Sequence, residues 1–169
     1  MTRTAIFSLM LLAACSDRSA VSSRTHSPSA SPDDSAFGLV QARGHVAMGV
    51  DQYTSAHRFE PLADGGRISL AREADDPAGV AQIRAHMAEI AAAFRRGDFT
   101  VPSFVQDRDV PGTATMAGRR SRISYIADTL PHGGSLRIHS TDSIAISAIH
   151  QFLAFQRQDH RSPDAHTSH

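Results

Sequence analysis

The sequence predicts an α+β domain in which a duplicated ββα unit forms a four-stranded antiparallel sheet with two helices packed on one face. Three observations carry this. Two stretches of alternating apolar and polar residues each turn at a Gly-Gly pair, Gly65-Gly66 and Gly133-Gly134. Each hairpin leads into a segment whose apolar residues recur at three- and four-residue spacing. The order strand, strand, helix thus occurs twice, separated by one long connection.

In the first unit, His57-Arg58-Phe59-Glu60 runs through Leu62 and the turn Asp64-Gly65-Gly66 to Ile68-Ser69-Leu70, an alternation that buries one face. Asp76 can cap the following helix with Pro77 at its first position, where a missing N–H breaks no helical bond. Val80, Ile83, Met87, Ile90 and Phe94 form the apolar stripe, and Gly97 can end the helix. From Asp98 to Gly118 the connection carries Pro102, Pro111 and Gly112, which reads as loop with at most a short helix near Thr113 to Ala117. Loops of that length in compact domains are often functional. The second unit repeats the pattern: Ile123-Ser124-Tyr125-Ile126, the Gly133-Gly134 turn, Leu136-Arg137-Ile138, then a helix capped by Asp142 with Ile146, Ile149, Phe152 and Leu153 as its stripe.

Outside this domain the chain reads as address and tether. Arg3 precedes an apolar run from Ala5 to Ala14 that is too short to span a bilayer and ends Leu12-Ala13-Ala14-Cys15. This stretch resembles the lipobox of bacterial lipoproteins. The resemblance implies cleavage before Cys15, acylation of that residue, and firm anchoring by several acyl chains. An ordinary secretory signal with a chance cysteine is the alternative. The expected organisation is a signal peptide at 1–14, a lipidated cysteine and disordered Ser/Pro-rich tether at 15–39, one domain at 40–160 and a disordered tail at 161–169. The expected setting is the bacterial cell envelope, anchored in lipid and facing the periplasm. Where two membranes are present, Ser16 favours the outer one.

Composition narrows the chemistry. Lys+Arg equal Asp+Glu at 17 each, which leaves no electrostatic footprint for nucleic acid and no broad basic face. Cys15 is the single cysteine, so an acylated chain has no thiol for a disulfide, a thiolate metal site or a nucleophile. The ten histidines are the compositional oddity, although His26, His160, His166 and His169 fall in segments read as disordered and inert.

Among the others, His45, Met48 and His57 form the leading candidate site. His-x-x-Met spacing can bring imidazole and thioether to one side of a turn or helix, and thioether is a soft ligand suited to Cu(I). Met116 in the long connection can add a second thioether. The competing reading makes Met48 a core residue, His57 a satisfied buried histidine and His45 a surface residue. His86 and His150 form a second pair that can face each other across the two helices, while His132 beside the second Gly-Gly turn should face solvent.

A catalytic reading has less behind it. Ser121 and Ser124 lie in no nucleophile elbow, Asp107-Arg108-Asp109 reads as a solvated loop, and no phosphate loop, dinucleotide fingerprint or zinc-protease helix is present.

The segments His45 to Gln52, His57-Arg58-Phe59, Pro111-Gly112 with Met116, Arg137-Ile138 and Ile149 to Gln156 with Asp159-His160 resemble a family of small exported bacterial proteins. Similar chains often carry the label aspartate carbamoyltransferase. That enzyme is roughly twice this length and holds carbamoyl phosphate with a Ser-Thr-Arg-Thr loop at a helix start, which this chain lacks. In the family pattern a pair of adjacent histidines stands at Ala56-His57 and a histidine stands at Gln106. If those side chains form a metal site in relatives, this chain has lost part of it.

Two functional expectations follow. One is an envelope lipoprotein that binds a soft metal such as copper through His45, Met48 and His57. The other is a metal-free envelope module that presents its domain to a protein partner or ligand. In both, the partner shared by all copies is the lipid membrane holding Cys15.

Overall fold

In the computed structural model, residues 32–49, 55–72 and 75–162 are described. The expected signal peptide, Cys15, the first part of the expected tether and the residues from Pro163 onward lie outside the described residues.

The two Gly-Gly pairs open the second strands of two hairpins. The first joins β1 (Ser55–Leu62) to β2 (Gly65–Arg72), and the second joins β3 (Ile123–Leu130) to β4 (Gly133–Ser140). All pairing is antiparallel in the order β1-β2-β4-β3, so the second strands of the two hairpins meet at the centre. One row across the sheet reads Phe59, Ile68, Leu136, Ala127. Because side chains alternate between faces, this row and its neighbours two residues away supply the core side.

Each hairpin is followed by its expected helix, α2 (Pro77–Arg95) and α5 (Ser143–Asp159). Asp76 caps α2 by accepting from the Gly79 N–H, and Asp142 caps α5 by accepting from Ile144 and Ala145. The stripe of α2 is buried as its spacing requires, and Ile149, Phe152 and Leu153 are buried on α5. The helices cross over: α2 lies mainly on β3 and β4, whereas α5 lies mainly on β1 and β2. Each repeat thus covers the other repeat's hairpin.

Glycine permits that approach at two matched places. A side chain at Gly66 would occupy the position of the Leu153 methyl from α5. At Gly134 an added Cβ would stand 3.2 Å from Met87 of α2. Between the layers, Leu70, Ile83, Leu136, Ile138 and Ile149 are fully buried. The rings of Phe94, Phe99, Tyr125 and Phe152 interlock, with Phe94 and Phe99 centroids 4.3 Å apart. Every member of this core cluster lies between Phe59 and Leu153, so a chain beginning at Ser31 contains all that closes it.

Three features depart from expectation. The connection contains α3 (Thr100–Gln106) as well as the anticipated short helix, here α4 (Thr113–Gly118). Pro102 is the third residue of α3, inside the first turn, where the absent N–H has no intrahelical partner to lose. A helix α1 (Pro32–Met48) also begins inside the stretch expected to be tether. It has no apolar stripe, and polar contacts fasten it: Arg43 pairs with Asp107 at 2.7 Å, while Arg161 pairs with Asp34 at 3.0 Å and lies over the Phe37 ring. Finally, α5 continues to Asp159 and places His160 against the domain instead of in a tail. Among the described residues no helix is long and apolar enough to cross a membrane.

A histidine-lined cavity as candidate functional site

Where α2 and α5 diverge above the sheet, α3 roofs the gap and leaves a partly open cavity of about 80 Å³. Its walls are mostly apolar: Phe59 from β1, Ile90 and Phe94 from α2, Val105 from α3 and Phe152 from α5 contribute. Ala47 near the end of α1 borders it as well. The polar exceptions are His57, His86, His160 and Gln156.

Local structure explains how these side chains come together. His57 and Phe59 are two apart on β1, so both face the helices, and their rings are parallel at 5.6 Å between centroids. His160, just past the last turn of α5, completes the group at 4.8 Å from His57 and 5.3 Å from Phe59. His86 sits one residue before Met87, on the flank of the α2 stripe. From α3, the Gln106 amide donates to the Gln156 side-chain oxygen at 2.8 Å and to Nε2 of His160 at 3.3 Å. With Nε2 accepting, the ring proton of His160 is on Nδ1, which is buried without a partner among the described residues, as is the Gln106 side-chain oxygen.

The electrostatics of the site are those of neutral groups. Burial pushes His57 well below its ordinary value, and the neighbouring His160 and His86 push it further. Burial brings His160 down to about 4, against the opposing pull of Asp159. His86 is lowered by burial too, with Glu89 opposing. Among the described residues no Asp, Glu, Lys or Arg lines the cavity. Near neutral pH these residues present three uncharged imidazoles in a mostly apolar wall, and a charged guest would lose hydration with no counter-charge from them to replace it.

The residues expected to bind a soft metal occupy different settings. His45 is exposed in the last turn of α1, and Met48 ends the same helix with its side chain outside the described residues. His57 is in the cavity, and Met116 is fully buried in the core. Among the described residues no group of three His, Cys, Asp or Glu side chains is placed to hold a metal ion. His150 does not pair with His86; its Nε2 donates to the Leu62 carbonyl at 2.9 Å. His132 is exposed, as are Ser121, Ser124 and the run Asp107-Arg108-Asp109.

Sequence reasoning left out Gln156 and His160, and reached Gln106 only as a position where the resembled family has a histidine. Gln156 and His160 stand at four-residue spacing on one helical face, a signal masked by reading His160 as disordered. No family model, curated protein or solved structure matches the chain.

Proposed function

We propose that this domain is a metal-free binding module of the bacterial envelope, held to the membrane by acylated Cys15. It takes into its cavity the small end of an uncharged molecule with an apolar body and one hydrogen-bonding atom. The observation that carries this reading is the buried Nδ1 of His160, without a hydrogen-bond partner among the described residues, in a ring that lines a largely apolar chamber. Native interiors rarely leave such atoms unsatisfied, and a guest or water there restores the missing bond. The volume is roughly five to eight times the minimum for one water, which suits about three or four heavy atoms.

The test is a titration of the chain from Ser31 onward with propan-2-ol and acetone, using acetate as a charged comparator of the same size. Methyl resonances of Met87 and Ile90 should shift saturably with the neutral probes and not with acetate. Val105→Phe, which fills the chamber, should abolish the response. Equal response to acetate, or an unchanged response in Val105→Phe, would sink the reading.

A second reading retains copper and moves it away from His45 and Met116. His57 and His160 are adjacent neutral imidazoles, and the Met87 thioether lines the same chamber. Neutral imidazole and thioether together favour Cu(I). Anaerobic Cu(I) titration should then show stoichiometric binding that both His57→Ala and His160→Ala remove. Binding indifferent to both variants would eliminate this alternative.

A further inference from the structure

The balanced overall charge conceals a local excess at one corner. The C-terminal end of α2 carries Arg95 and Arg96, and the 3-10 turn Arg120–Arg122 lies against it, with Arg120 within reach of Gly97. The four arginines Arg95, Arg96, Arg120 and Arg122 are all exposed. Their side chains meet no carboxylate among the described residues. Arg95 donates to the Tyr125 carbonyl, Arg96 to that of Ala92 and Arg120 to that of Ala117. Of the nearby acids, Asp98 takes its hydrogen bonds from Thr100 and offsets Arg96 at a distance, while Asp142 caps α5 and pairs with Arg119, which leaves the arginines in excess.

On one side of this corner a shallow depression of about 470 Å³ is bordered by Arg122, by Arg119, which pairs with Asp142, and by the hydroxyl-bearing Thr115 and Ser121. It is too open to enclose one anion, and no cation in it is buried. Several exposed guanidinium groups without a carboxylate pair among the described residues match a surface carrying many phosphates, since guanidinium binds phosphate through paired N–H donors.

We infer that this corner is a second, protein-borne membrane contact that lays the domain against anionic phospholipid headgroups. It is independent of the cavity and needs no lipid on Cys15. An acylated anchor alone would leave the domain free to rotate at the end of its tether. The arginine corner gives it a preferred face toward the bilayer.

The chain from Ser31 onward, lacking the anchor, is to be co-sedimented with phosphatidylcholine vesicles with and without phosphatidylglycerol. It should bind only the anionic vesicles and release as salt is raised. The double variant Arg120→Gln, Arg122→Gln should bind about 30-fold more weakly, as loss of two surface cations implies. Arg58→Gln on β1, the opposite edge strand, should bind as the parent does. Melting temperatures of both variants show whether the fold is intact. Equal binding to neutral vesicles, undiminished binding by the double variant, or failure to bind anionic vesicles would each overturn the inference. A saturable response of the Arg122 side chain to inorganic phosphate without vesicle binding would also overturn it in favour of a free-anion site.

Discussion

Acid should loosen this domain well before its carboxylates titrate, and His160 is the residue through which to measure the effect. Its imidazole is held down to about 4, against an ordinary value of 6.5. The folded state therefore resists a proton that the unfolded chain accepts. Above pH 6.5 both states are neutral and nothing is lost; as pH falls through that value the unfolded state gains protons first, and stability declines until both states are charged near pH 4. A difference of 2.5 units is about 3.4 kcal/mol at full effect, of which about 2 kcal/mol is already lost at pH 5. His57 and His86 shift in the same direction and steepen the decline, while Asp159 opposes it at His160. The assay is the urea midpoint at pH 7, 6 and 5 for the parent and for His160→Gln, which keeps a group able to meet Gln106 but cannot titrate. Asp64, Asp98 and Asp142 have lowered values and lose their contribution only below about pH 4, outside this window. An acid slope between pH 7 and 5 as steep in His160→Gln as in the parent would refute the reasoning.

Packing gives further expectations. Gly66→Ala should destabilise the domain by about 1–3 kcal/mol, because the new methyl meets Leu153, whereas Gly118→Ala, with open space around it, should not; paired thermal melts decide. Met116→Ala should cost about 2–5 kcal/mol, since the side chain is fully buried, while Met116→Leu should remain within about 1.5 kcal/mol and leave any Cu(I) binding unchanged. Asp76→Ala should remove about 1 kcal/mol through the lost N-cap of α2, read from denaturant midpoints.

The legible parts of the fold were those written in local patterns. Gly65-Gly66 and Gly133-Gly134 fix two hairpins, and the Asp76 and Asp142 caps with their apolar stripes fix two helices, all within twenty or so residues of chain. What local pattern could not show depends on tertiary partners. Helix α1 is fastened by Asp107 and Arg161, residues far along the chain, so its own sequence carries no stripe to announce it. Helix α3 was obscured by Pro102, whose effect depends on whether it falls in the first turn or the interior. The site illustrates the same limit: His57 was identified, yet His160 stands 4.8 Å from it, and Gln106 bonds to His160, only because the folded sheet and helices bring three elements together.

The crossing of α2 onto β3 and β4, and of α5 onto β1 and β2, bears on how such a domain is assembled. A lone ββα unit would hold its helix over empty space and leave its sheet uncovered; two units cover one another. Cutting the chain between Asp107 and Asp109 should therefore yield halves that are each unfolded alone and that combine one-to-one when mixed. The connection between the units turns what would be an encounter between two molecules into one within a single molecule.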